Sequence, residues 1–292
     1  MKIVIAGGTG LIGTYLLHRF SQRGDNVLVV SRNKGHVSWN HQELKNALEG
    51  ADLLINLSGK SINCRHTVKN KEAILKSRIE TTDKLGKAVL ACVNPPHLWI
   101  NASASAIYSA NIKEPAGESS TEFSNDFLSN VIRKWEDKFF SFHLPLTRQV
   151  AMRTSVVLSN NGGAFVPLFW LTKLGLGGRQ GSGKQEFSWI HIEDYYRMIL
   201  FLNENQINGI FNCTSPNPVT NTELMHAFRK CLGVKIGLPA PEFAVKIGAA
   251  IIGTESSLLL NSSFLYPENL MKAGFEFKYP VIKNAIEDLM LK

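Results

Sequence analysis

Lys2-Ile3-Val4-Ile5-Ala6, running directly into Gly7-Gly8-Thr9-Gly10-Leu11-Ile12-Gly13, is the stretch from which the fold of this 292-residue chain can be read. The first five residues are a short apolar run with the character of a buried parallel strand. After the glycines, Leu11, Ile12, Tyr15, Leu16 and Phe20 recur at helical spacing as far as Arg23, and Gly24 supplies the stop. Strand, glycine turn and helix in this order gather backbone N–H groups at a helix N-terminus. Those donors and the helix dipole favour a pyrophosphate there. Gly7 permits the tight turn, Gly10 lets the backbone approach the phosphates, and Gly13 lets helix and strand pack closely. Glycine patterns also occur in ordinary turns, but this setting predicts a dinucleotide site at Gly7, Thr9, Gly10, Leu11, Ile12 and Gly13.

The second strand, Val27-Leu28-Val29-Val30, points to which dinucleotide. An NAD-specific site would place Asp or Glu at its end, to hydrogen-bond the ribose 2′-hydroxyl. Here the chain reads Ser31-Arg32-Asn33-Lys34. A carboxylate would repel a 2′-phosphate, whereas a guanidinium offers a planar fork that matches phosphate oxygens. Arg32 is the expected 2′-phosphate ligand, with Ser31 and Lys34 beside it, and NADP (NADPH) is the expected cofactor. The competing reading of these residues is a solvated basic loop.

Strand-like runs at 52–57, 98–101, 152–158 and 210–213 alternate with helical stretches near 41–48, 68–92, 127–140 and 194–202. Alternation of this kind predicts an α/β fold, a Rossmann-type doubly wound parallel sheet with its crevice at the strand C-termini. From about Pro216 the pattern changes, broken by Pro216-Asn217-Pro218 and Leu238-Pro239-Ala240-Pro241. We therefore expect residues 1–160, completed by about 186–214, to form the cofactor domain. Residues 161–185 and 215–292 are expected to form a smaller C-terminal α+β substrate lobe. The glycines of Leu174-Gly-Leu-Gly-Gly178 suit either a mobile flap or a rigid turn needing positive φ.

Composition narrows the function further. A hydrophobic fraction of 44% is ample for a core, and the net charge of +8 is scattered over the chain. No basic stripe interleaved with aromatics appears, so the charge suits anionic small molecules rather than nucleic acid. No apolar run reaches membrane-spanning length; 243–253 and 258–260 are short and interrupted, so no membrane partner is expected. The chain starts on its first strand without a signal-like segment. Cys64, Cys92, Cys213 and Cys231 lack paired spacing and read as free thiols, which suits a cytoplasmic protein. The eight histidines show no ligand spacing, so no metal is expected. His191 reads as a packed, hydrogen-bonded residue and Asp194 as an N-cap or first-turn carboxylate.

Several segments together resemble a known family. They are Gly-Gly-Thr-Gly-Leu-Ile-Gly (7–13), Ser-Arg-Asn (31–33), Asn-Leu-Ser-Gly (56–59), Ser-Arg-Ile-Glu-Thr-Thr (77–82) and Arg-Thr-Ser-Val-Val-Leu (153–158). The match is densest at Leu174-Gly-Leu-Gly-Gly, Gly181-Ser-Gly-Lys-Gln and Ser188-Trp-Ile-His-Ile-Glu-Asp, and continues in Glu255-Ser-Ser-Leu-Leu-Leu and Ala273-Gly-Phe-Glu-Phe. The chain resembles the epimerase family proteins. These are extended, atypical short-chain dehydrogenases/reductases of the NAD-dependent epimerase/dehydratase group, with a C-terminal domain of unknown function. The resemblance implies further cofactor contacts at Leu57, Ser58 and Gly59 on the adenosine side, at Arg78 on the following helix, and at Val157 near the nicotinamide.

Catalysis in that superfamily uses a Tyr-x-x-x-Lys pair, the lysine lowering the tyrosine pKa for proton exchange. The matching positions here are Phe127 and Val131, and neither side chain can move a proton. Tyr279-Pro-Val-Ile-Lys283 matches the spelling but lies in the C-terminal lobe, which reads as coincidence. The resemblance leaves Ser103, or Ser105 two residues on, to orient a substrate oxygen, and Tyr108 or a water to complete proton transfer. Both glycines that flank the tyrosine in the family are replaced, by Ala106 and Ser109. Two functions fit. One is an NADP-dependent oxidoreductase or epimerase acting on a small carbonyl-bearing or nucleotide-linked molecule. The other is a non-catalytic NADPH-binding sensor. Helices of such folds often pair, which leaves a homodimer open.

Overall fold

A computed structural model describes residues 1–32, 35–253 and 255–291; Asn33 and the expected phosphate neighbour Lys34 lie outside the described residues. The first half of the chain runs β1 (Lys2–Ala6), α1 (Leu11–Gln22), β2 (Asn26–Val30), α2 (His41–Leu48), β3 (Leu53–Asn56) and α3 (Val68–Leu90). β4 (Leu98–Ala104), a 3-10 turn (Ser105–Ile107), α4 (Phe127–Phe140), β5 (Arg148–Thr154) and β6 (Val156–Ser159) follow. Then come β7 (Gly162–Gly163), α5 (Phe165–Lys173), β8 (Glu186–Phe187), β9 (Trp189–His191), α6 (Ile192–Glu204) and β10 (Gly209–Cys213). The chain closes with β11 (Val219–Thr220), α7 (Asn221–Leu232), α8 (Glu242–Ile252), α9 (Ser257–Leu260), α10 (Glu268–Lys272) and α11 (Ile282–Leu291).

Six strands form one parallel sheet in the order β10-β5-β4-β3-β1-β2. Chain progression reverses between β1 and β3, so the crevice opens at their C-terminal ends, beside the glycine turn. Beyond β2, a single parallel bridge from Val30 to Val37 extends the edge. Both sheet faces are covered, which is why the strands read as continuous apolar runs rather than alternating ones. Ile3, Ile5, Leu53, Ile55, Leu98 and Ile100 turn to the α1/α6 side, while Val4, Ala6, Leu54 and Trp99 turn to the α2/α3 side. A separate core in the second half joins Leu158 and Trp189 to α5, α7 and α11.

The structure departs from the sequence reading at two strands. The strand expected at 152–158 is two strands, because Ser155 turns out of line and both its N–H and its hydroxyl donate to the Cys213 carbonyl. β6 then pairs with β9 instead of continuing the large sheet. β4 runs past its expected end at Asn101, since Ala102, Ser103 and Ala104 keep pairing with Met152, Arg153 and Thr154. Small residues have weak strand propensity, and here the neighbouring strand decides.

The segment 174–178 is a backbone-bonded turn: Gly178 N donates to Leu238 O, and Leu238 N donates to Gly175 O. His191, not Asp194, caps α6, its Nδ1 accepting from Glu193 N at 3.1 Å. Asp194 sits in the first turn and accepts from Lys278 N and Tyr279 N, each at 2.8 Å, tying α6 to the C-terminal segment. Tyr279 stacks on His191 at 4.0 Å, whose Nε2 lies 3.2 Å from Asp288.

Candidate functional site

The crevice is built first by close backbone approach. Gly7 has φ +82°, and a Cβ there would lie 2.8 to 2.9 Å from the backbone of Leu57 and Ser58. Gly13 faces the start of the turn at the same closeness: its Cβ would stand 2.6 Å from Gly7 O. Any side chain at either position would push the first helix or the third strand away. Gly10 differs, since a Cβ there would meet nothing nearer than Gly7 O at 3.6 Å. Its outer face is open. As N-cap of α1, Gly10 offers no side chain to the first-turn N–H groups, and no acidic residue occupies that turn. The result is a cradle of donors left for an anion.

Cations flank this cradle. Arg78, half-buried on α3, lies against Gly59, whose Cβ would come within 3.2 Å of its guanidinium carbon. Its Nη1 donates to the carbonyls of Lys60 and Ile74, and its guanidinium lies 5.1 Å from the Trp135 ring on α4. No carboxylate pairs with it among the described residues, and burial pushes it down to about 10. A desolvated cation without a counter-charge is destabilising until an anion arrives. At the other side, Ser31 follows β2 directly, with its N–H on Val37 O, and Arg32 is exposed to solvent. Leu11 and Val157 approach the same hairpin, for a Cβ on Gly163 would lie 3.0 Å from Leu11 and 3.3 Å from Val157 O.

The two expected catalytic hydroxyls are held in a buried polar network. Ser103 Oγ donates to Glu136 Oε1 at 2.5 Å. Glu136 also receives Arg153 through two bonds, at 2.9 and 2.7 Å. Arg153 Nη1 donates to the Tyr108 hydroxyl at 2.8 Å, which in turn donates to Asn212 Oδ1 at 3.0 Å. Ser103 is 4% exposed and Tyr108 6%. Burial pushes the Tyr108 phenol up, against the opposing pull of Arg153. Ser105 begins the 3-10 turn, and its carbonyl accepts from Tyr108 N. Phe127, in the tyrosine position, carries His66 edge-on at 5.6 Å and the Lys71 ammonium 5.2 Å from its ring centre. Val131, in the lysine position, is buried.

Sequence reasoning missed Trp135, Glu136, Arg153 and Asn212. The available signal was Arg153 itself, a charge inside an apolar strand, which must find a buried partner. Among the described residues, no group of three or more His, Cys, Asp or Glu side chains could hold a metal ion.

Comparison with known proteins agrees with this architecture. Residues 3–127 match the NAD dependent epimerase/dehydratase family, and residues 240–289 match a domain of unknown function, DUF1731. The mouse epimerase family protein SDR39U1 is 33% identical over 299 residues, covering 99% of this chain and all of the relative. An epimerase family protein of Staphylococcus epidermidis is 32% identical, with 99% of each chain covered. The crystal structure of human SDR39U1, isoform 2, with NADPH superposes with a TM-score of 0.90 at 32% identity over the whole of both chains. With that likeness spanning both the parallel sheet and the C-terminal lobe, the chain belongs to the epimerase family proteins, NAD dependent epimerase/dehydratase members that carry the DUF1731 domain.

Proposed function

We propose that this protein binds NADP(H) in the crevice above β1 and β3 and acts as an epimerase-like oxidoreductase. Its substrate would be a small carbonyl-bearing or nucleotide-linked molecule. The observation that carries the reading is Arg78, a desolvated guanidinium with no carboxylate paired to it among the described residues, set against Gly59 beside the open N-terminus of α1. That arrangement fits a pyrophosphate. The NADPH bound by the human relative supports the same cofactor here. Gly7, Thr9, Gly10, Leu11, Ile12 and Gly13 would hold the phosphates, with Leu57, Ser58 and Gly59 along the adenosine side. Ser31 and Arg32 would take the 2′-phosphate, and Val157 would flank the nicotinamide. When bound, the cofactor supplies hydride transfer. Residues 1–160 with 186–214 form the cofactor half in this reading, and 161–185 with 215–292 the substrate half. Four free thiols suit a reducing, cytoplasmic setting.

For proton transfer, Ser103 and Tyr108 are the hydroxyls that the family pattern offers, and they act only if substrate draws them out of their bonds to Glu136, Arg153 and Asn212. That engagement favours a second reading, a non-catalytic NADPH sensor. Oxidation of NADPH by a panel of carbonyl compounds separates the two. Turnover that survives both Ser103→Ala and Tyr108→Phe would remove these residues from the chemistry.

The cofactor assignment has a direct check. In parallel fluorescence titrations, NADPH is expected to bind more tightly than NADH. Arg32→Asp is expected to weaken NADPH by about 10- to 100-fold, the worth of a charge-assisted phosphate contact, and to leave NADH little changed. Equal losses for both nucleotides would show that Arg32 does not read the 2′-phosphate.

A further inference from the structure

α8 is packed against the protein by a narrow stripe only. Val245 and Ala249 turn inward, while Phe243, Ile247 and Ile251 stand 67, 57 and 80% exposed on successive turns. Soluble helices normally place such residues in the core and charges outside. The neighbouring surface continues the pattern. Ile236 and Leu238 are exposed on the segment leading into α8, and that segment is bonded to the turn at 174–178, where Leu174 is also exposed. Trp170, on the helix feeding that turn, is exposed with the Lys173 ammonium 5.0 Å from its ring. Together these residues form an apolar surface over several consecutive elements of the C-terminal lobe.

Charge decides what covers it. Segments 170–179 and 229–251 carry six basic side chains and one acidic, Glu242, which is itself paired with Lys246. Two copies of this face would bring like charges together. An anionic lipid surface supplies the complement, with the aromatic and aliphatic side chains entering the headgroup boundary and the lysines meeting phosphates. We propose that α8 and the adjoining turn form a peripheral docking surface for anionic membranes. This contact lies in the plane of the interface. No helix among the described residues is long and apolar enough to cross a membrane, and the docking surface requires none.

The test is co-sedimentation of the full chain with vesicles of phosphatidylcholine containing about 30% phosphatidylglycerol, against phosphatidylcholine alone. Binding to the anionic vesicles is expected to be about tenfold stronger and to fall in high salt. Ile247→Gln with Ile251→Gln is expected to reduce it about tenfold, and Lys235→Glu with Lys246→Glu to do the same. Both pairs are exposed, so thermal unfolding should be unchanged. Trp170 gives a second readout. Its emission should shift to shorter wavelength on anionic vesicles, and Trp170→Phe should delete the shift, since Trp99, Trp135 and Trp189 are buried and the half-buried Trp39 packs against the α2/α3 side of the sheet. Absence of anionic binding, or binding that both paired variants leave intact, overturns the proposal. So does a dimer in sedimentation velocity that Ile247→Gln with Ile251→Gln dissolves while vesicles stay unbound.

Discussion

Glu136→Ala is expected to lower the stability of the fold by about 3–5 kcal/mol, the loss seen when one member of a buried ion pair is removed. The Arg153 guanidinium would be left inside the sheet, between β4 and α4, with the Tyr108 hydroxyl as its one remaining hydrogen-bond partner among the described residues. Ser103 would lose its acceptor in the same step. Equilibrium denaturation measures the loss. Combining Glu136→Met with Arg153→Met removes the stranded charge, so the double variant is expected to be more stable than Glu136→Ala despite carrying two changes. A single variant that unfolds like the parent would show that water enters the network and solvates Arg153. The outcome bears on Ser103 too, because a serine held by a rigid structural carboxylate is a poor candidate for a mobile substrate contact.

The second large effect separates two glycines three residues apart. Gly13→Val is expected to lower both stability and NADPH affinity, the latter about 100-fold, because its Cβ would press within 2.6 Å of Gly7 O and Gly8 Cα. Neither of those atoms belongs to a flexible side chain, so the helix must shift. Gly10→Val is different. Open space surrounds its Cβ position, with Gly7 O at 3.6 Å, and the unliganded fold is expected to unfold at nearly the parent temperature. NADPH binding should still fall about 100-fold, because the new side chain occupies the volume the phosphates would take. Thermal unfolding without nucleotide, paired with NADPH titration, checks both variants. Unchanged NADPH affinity in Gly10→Val would place the cofactor away from this turn.

How much of this was legible in the sequence depended on distance along the chain. α2 and α4 match their expected limits at 41–48 and 127–140, since helical periodicity is local and their caps, Asn40 and Asp126, adjoin them. The glycine turn was legible for the same reason, as strand, turn and helix occupy a few consecutive residues. The break at Ser155 was hidden because its cause is a carbonyl 58 residues away. The network around Tyr108 was hidden as well. It joins Ser103 to Glu136 and Tyr108 to Asn212, which are 33 and 104 residues apart, and no local pattern encodes those meetings. Asp194 shows the middle case: its place at the start of α6 was readable, whereas its two backbone donors come from 84 and 85 residues downstream.

That last bond pair sets the order of events during synthesis. The large sheet has all its strands once β10 has emerged from the ribosome, and N-terminal units fold first. Asp194 meanwhile belongs to a helix that packs on this sheet, and until Lys278 and Tyr279 are made its carboxylate has Arg197 of the same helix as its partner but lacks its two backbone donors. Seating that helix early would leave a buried carboxylate two hydrogen bonds short, a cost that the later segment removes. Lys278 and Tyr279 complete the bonding of Asp194, so the last segment made acts as the latch on a core begun at residue 2.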